Sequence, residues 1–198
     1  MSKYLDLCVS KGVLETLTTG GSSDSSQGSE YRFAHDHIQL AARSLMENEE
    51  RGRLQLLMGE LLQDEVDPGD VPEETTLFVA ADLMNRGVSY IPATDVSKKL
   101  SLVRLNLRAG KKATNAAAFS SALAYLRAGI FVLKQIGPPS VYWVDHKELC
   151  LELFGFASEA SFCHGKLEEM QLFIDEILNQ DTLSFLEKLR AHSTHVHA

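Results

Sequence analysis

The run Ala109-Gly110-Lys111-Lys112 carries the Gly-Lys pair with which phosphate-binding loops end. Such a loop is G-x-x-x-x-G-K-[ST], set between a strand and a helix so that its backbone N–H groups cradle the phosphates. Position 105, where the first glycine would stand, is Leu, and the run lies inside a helical pattern. Its lysines read as solvated surface charges. His35-Asp36-His37 is the densest polar trio. A metal site or acid–base pair there would need further converging ligands. The plainer reading has Asp36 capping a helix and His35 packing its ring against a preceding hairpin. His192, His195 and His197 lie in a polar tail that preorganises no site.

Nucleophile chemistry fares no better. The chain has no G-x-S-x-G, and Cys8, Cys150 and Cys163 form no C-x-x-C pair. Set among apolar residues, the three thiols read as buried and reduced. Glu168-Glu169 and Asp175-Glu176 read as a solvated acidic face. The Ser-rich run Ser22 to Ser29 could be phosphorylated, although low-complexity flexibility explains its composition. The expectation is therefore no catalytic, cofactor-binding or metal-binding residue, no cofactor, and no enzyme activity in this chain by itself.

Composition narrows the remaining classes. With 198 residues, of which 44% are hydrophobic, the chain can bury a sizeable core. Its net charge of −8 argues against a general nucleic-acid surface, since that affinity rests on neutralising phosphates. MSKYLDLCVSKG lacks the apolar core of a signal peptide, and no apolar run approaches the ~20 residues of a membrane span. The chain is expected to be cytoplasmic, with neither nucleic acid nor membrane as a partner.

The elements are organised around residues 106–133. Phe119, Ala122, Leu123, Leu126, Ile130 and Leu133 recur at helical spacing, and Leu102, Leu105, Ala109 and Ala113 make a second stripe before them. Small residues on facing positions allow close approach, with Phe119, Leu126 and Phe131 filling the grooves beside them. This predicts an antiparallel helix pair, the unit of helical solenoids.

Upstream, Tyr4 to Val9 suggests a short helix ending at Lys11-Gly12. Residues 13–17 and 31–34 read as the strands of a hairpin with a long mobile tip. A helix over 37–46 follows, capped by Asp36, with Ile38, Ala41, Ala42 and Leu45 facing one way. After a polar joint over 47–51, residues 53–66 predict a helix with Leu54, Leu57, Met58, Leu61 and Leu62 as its apolar stripe. Pro68-Gly69 and Pro72 mark a turn. Further helices are predicted over 75–86, from Val96 with Asp95 as cap, and over 144–163, 167–178 and 182–191. KQIGPPSV, over 134–141, reads as a break because Pro138-Pro139 cannot sit inside a helix.

The predicted fold is mainly α, an irregular TPR-like solenoid of helical hairpins over 47–192. Ahead of it stands a partial winged-helix unit over 1–46, its β-hairpin carrying a flexible loop over 18–30. A frayed tail over 193–198 follows.

The run Phe33-Ala34-His35-Asp36-His37-Ile38-Gln39-Leu40-Ala41-Ala42 resembles the F-x-H-D-x-[IV]-Q-x-A-A pattern of a known family. That family is the large predicted-ATPase signalling proteins, of hybrid histidine kinase or serine/threonine kinase type, which join a STAND/AAA-type NTPase to a long helical region. Further matches follow in order: Leu77-Phe78 with Asn85 and Gly87, Leu105-Asn106-Leu107 with Ala109 to Ala113, Ala118-Phe119 with Ala122, Tyr125-Leu126, and Trp143 with His146. Arg43 and Gln55 depart from the Tyr and His that the family often has. The resemblance extends from about Leu5 to Leu186. It implies the end of the NTPase module's winged helix followed by the TPR-like region, which binds partners or relays a signal, while the catalytic motifs belong to other parts.

The expected function is thus a non-catalytic helical scaffold or protein-interaction module of an ATPase-linked signalling protein, with the chain expected to be a fragment of one. Its partner would be a protein or the neighbouring NTPase or kinase domain. The alternative is a portion of an active ATP-binding kinase or ATPase whose catalytic domains lie outside this chain. DNA binding through the half winged helix is a third reading that the acidic charge disfavours. The last helix presents Leu183, Leu186 and Leu189 on one face, a seat for weak self-association.

Overall fold

The computed structural model describes residues 2–17, 30–65 and 74–196. The predicted loop tip, the Pro68-Gly69 turn with Pro72, and the side chains of His192, His195 and His197 lie outside the described residues. The chain is mainly helical, with ten α-helices and one two-stranded sheet among the described residues. It divides into two compact units, residues 1–51 and 52–198.

In the first unit, α1 (Ser2–Ser10) ends in a Schellman cap: Val13 N–H donates to Cys8 O at 2.9 Å and Gly12 N–H to Val9 O at 3.0 Å. Gly12 supplies the positive φ of 68° that this cap requires. β1 (Leu14–Leu17) and β2 (Glu30–Phe33) pair antiparallel, as the predicted hairpin requires, with Leu14 opposite Phe33 and Glu15 opposite Arg32. Glu15 and Arg32 form an ion pair at 2.7 Å. α2 (Asp36–Leu45) begins at Asp36, and the preceding position, His35, makes no side-chain cap. Asp36 therefore acts through its charge in the first turn rather than as the cap that the sequence suggests. No described residue of this unit is fully buried, and Ala41 and Leu45 are exposed instead of turned inward.

The second unit holds the core. α3 (Asn48–Glu65) starts within the stretch that reads as a polar joint. Its buried residues are Gly52, Leu56 and Gly59, while Leu54, Leu57, Met58 and Leu61 of the predicted stripe are exposed. The face is chosen by size. A Cβ at Gly59 would sit 2.5 Å from Met84 Cγ and 3.1 Å from Ala80 O, so this glycine lets α3 lie close against α4 (Glu74–Arg86).

α5 (Val96–Asn115) is capped by Asp95, whose carboxylate accepts from Lys98 N–H at 2.9 Å, as predicted. It pairs with α6 (Phe119–Lys134) through a three-residue turn. Leu102, Leu105, Ala109 and Ala113 meet Ala122, Leu123, Leu126, Ile130 and Leu133, all buried. A Cβ at Gly110 would lie 2.6 Å from Leu126 Cγ, the close approach expected of this pair. Phe131 is 60% exposed and fills no groove.

The predicted break hides a short helix, α7 (Pro139–Asp145), which Pro139 opens from a first-turn position where proline costs no hydrogen bond. α7 buries Tyr142 and Trp143. α8 (Lys147–Cys163) and α9 (Leu167–Leu178) form the next hairpin, and α10 (Phe185–Val196) packs on both. Trp143 stacks on Phe154 with ring centroids 5.6 Å apart. Leu183 is buried, but Leu186 and Leu189 are exposed.

The two hairpin turns share one hydrogen-bond pattern. Ala118 N–H donates to Ala113 O and Ala117 N–H to Thr114 O, both at 2.9 Å. Lys166 N–H donates to Ser161 O at 2.8 Å and Gly165 N–H to Phe162 O at 3.0 Å. The left-handed residue is Gly165, φ 75°, in one turn and Ala117, φ 55°, in the other.

Candidate interaction surface

α3, α5, α8 and α10 follow one another along one side of the second unit, each tied to the next by a lysine–glutamate pair. Lys98 Nζ meets Glu60 at 2.7 Å between α5 and α3. Lys111 Nζ meets Glu152 at 2.5 Å between α5 and α8. Lys147 Nζ meets Glu187 at 2.6 Å between α8 and α10. The intervening helices carry their own ties: Tyr125 Oη donates to Asp82 at 3.0 Å between α6 and α4, and Arg127 forms a two-pronged pair with Glu169 between α6 and α9.

Burial, then the hydrogen bond to Asp82, pushes the Tyr125 phenol up to about 12. The hydrogen bond from Lys147, joined by those from Ser184, holds Glu187 down at about 2. Ser184 and Glu187 form a capping box: Ser184 N–H donates to the Glu187 carboxylate at 2.8 Å and Glu187 N–H to Ser184 Oγ at 3.4 Å.

A groove of about 950 Å³ runs between α5 and the α7–α8 corner. Arg104, Arg108 and Lys111 line the α5 side, one turn apart along the helix, and Asp145 and Glu148 line the other. Leu107 and Leu151 supply apolar surface between them. Lys111 also lies 5.1 Å from the Phe156 ring centroid, so it is an interhelical tie rather than the solvated charge suggested by sequence.

Three polar clusters, each holding at least one buried side chain, fix the helices behind this face. Asn85 on α4 and Asn106 on α5 exchange two amide hydrogen bonds, both 2.8 Å, and Asn106 also donates to Leu102 O at 3.0 Å. The buried Lys99 donates to Ala93 O at 3.0 Å and Gln135 O at 3.2 Å, placing its charge on the carbonyl end of α6. Glu176 accepts from Tyr142 Oη at 3.0 Å and Trp143 Nε1 at 3.2 Å. Burial and the Glu176 charge raise the Tyr142 phenol, and burial pushes the Cys150 thiol up to about 12.

The acidic run of α9 is thus split: Glu169 and Glu176 are engaged by other helices, while Glu168 and Asp175 are exposed, as a solvated face would have them, with Asp175 accepting from Gln171 of its own helix. Sequence reasoning missed them because Arg127, Tyr142 and Trp143 lie 42, 34 and 33 residues from their acids. His35, Asp36 and His37 are exposed, and no metal-binding group of three His, Cys, Asp or Glu occurs among the described residues. Cys150 is buried, Cys8 half-buried and Cys163 exposed, so the expectation of three buried thiols fails at Cys163. No described helix is long and apolar enough to cross a membrane.

No family model matches the chain, and no solved structure matches it. The chain is similar to the hybrid signal transduction histidine kinase G of Dictyostelium discoideum, 24% identical over 167 residues that cover 76% of this chain. It spans about 5% of the length of that relative.

Proposed function

We propose that this chain is a non-catalytic helical interaction module of a signal-transduction protein, with residues 47–192 forming an irregular TPR-like solenoid. The ladder of ties carries this reading: α3–α5–α8–α10 on one side and α4–α6–α9 on the other are each linked to the next of their kind. Nearest-neighbour linkage of helical hairpins is how a solenoid holds itself together. The recurrent cap at the two hairpin turns adds to it. The first-named helices form the face on which a protein, or a neighbouring NTPase or kinase domain, would dock. The likeness to a histidine kinase supplies the signalling setting, and with it the STAND/AAA-type parent and a cytoplasmic location are proposed.

In the same reading the first unit is the end of a winged-helix module. Its hairpin, followed by a helix with no buried residue, fits a part whose remaining helices lie elsewhere. The exposed Leu186 and Leu189 of α10 are the expected seat of weak self-association.

A second reading, that the chain belongs to an active ATP-binding kinase or ATPase whose catalytic parts lie outside it, rests on the same relative. Calorimetry with MgATP tests both: neither expects this polypeptide to bind, and micromolar affinity would sink both. The module reading is tested by capturing a partner and mapping hydrogen-exchange protection, expected along α5 and α8. Protection confined to other surfaces, or a chain that captures nothing, would refute it.

A further inference from the structure

We propose that the groove between α5 and the α7–α8 corner binds a protein segment through a pair of its carboxylates, with Arg104 and Arg108 as the anchors. The proposal rests on the interaction-module reading and names the chemistry of the partner. On this face Lys98, Lys111 and Lys147 are already spent, each holding a glutamate of the adjacent helix. Arg104 and Arg108 are exposed, line the groove, and have no ion pair or hydrogen bond among the described residues. Two unmatched guanidiniums one turn apart at one groove attract an anion despite the chain's net charge of −8.

Their spacing sets the ligand. Four residues along a helix place the two side chains about 6 Å apart along its axis. Carboxylates at i and i+4 of a partner helix match that interval, and each guanidinium offers a planar fork to a carboxylate. The opposite wall narrows the class. Asp145 and Glu148 lie there beside His146 and Lys147, and the Lys147 charge is already held by Glu187, so a uniformly anionic strand meets like charge on that side. A segment with acidic residues toward α5 and a basic residue toward Asp145 and Glu148 satisfies both walls. That disfavours nucleic acid and favours a mixed-charge protein segment.

The test uses the full chain and labelled helical peptides: one with Glu at i and i+4 and Lys on the opposite side, one with Gln replacing both Glu, and one with Lys replacing both. Fluorescence anisotropy should show the Glu peptide binding at least about tenfold more tightly than the Gln peptide. Arg104→Glu with Arg108→Glu should remove that preference and create binding of the Lys peptide. Arg104→Gln with Arg108→Gln should lose both. Both positions are exposed, and unchanged far-ultraviolet dichroism verifies the fold. No Glu-peptide binding, binding indifferent to both variants, or tighter binding of a single-stranded oligonucleotide that the same variants abolish would each overturn the proposal. A captured partner that still protects α5 and α8 in the double-reversal variant would overturn it too, while leaving the module reading intact.

Discussion

Asn85 and Asn106 face each other across the α4–α5 contact and satisfy each other's amides with two hydrogen bonds of 2.8 Å. Asn106 is fully buried, so its amide has no water to fall back on. The pair specifies one register of α4 on α5, since a slip of either helix would orphan both side chains.

Asn106→Ala should cost about 2–3 kcal/mol, because it opens a cavity and leaves the Asn85 amide without its partner. Replacing both by Ala should cost less than the sum of the single changes. Urea denaturation, read by the fluorescence of Trp143, the sole tryptophan, gives the cycle.

Ala117 is the left-handed residue of the α5–α6 turn, where the matching turn has Gly165. A left-handed conformation costs an L-residue roughly 1–2 kcal/mol and glycine very little. Ala117→Gly should therefore stabilise the chain by about 1 kcal/mol after glycine's extra unfolded-state entropy is subtracted. The same denaturation experiment checks it, with Gly165→Ala as the converse and expected to destabilise.

Much of this architecture can be read from residue order, and the places where reading fails have physical causes. The α5–α6 stripes are legible because both helices bury wide apolar faces at regular spacing. α3 misleads because the face that carries Gly59 and Leu56 allows the closest approach to α4, and so wins the contact over a face of four large apolar residues. α7 misleads because Pro138-Pro139 looks like a stop, whereas Pro139 opens a helix. The Ser184–Glu187 capping box was a readable S-x-x-E signal that places the start of α10 at Phe185 rather than at Thr182. The Arg104–Arg108 pair was invisible as a site, since only folding shows which cations are already matched.

Glu187 gives a pH prediction. Its carboxyl is held at about 2 in the fold against an ordinary 4.5, so the folded state keeps it ionised where the unfolded chain would protonate it. Its contribution is fully present above about 4.5 and is lost as pH falls toward 2. The docking of α10 on α8 should loosen in that window, and Glu187→Gln should flatten this part of the profile. Carboxyl chemical shifts followed by NMR locate the titration.

The thiols should separate by environment. Cys163 is exposed and should react with Ellman's reagent in the native chain at pH 8. Cys150 is buried, donates to Tyr142 O at 3.3 Å, and has its thiol pushed up to about 12, so it should react only on unfolding. Mass spectrometry of the labelled peptides distinguishes the two.

Hydrogen exchange on a captured complex is the direct measure of whether the face built by α3, α5, α8 and α10 binds a protein. Exchange along α5 and α8 should slow when the partner is bound. Unchanged exchange on both helices in a stable complex would contradict binding at this face.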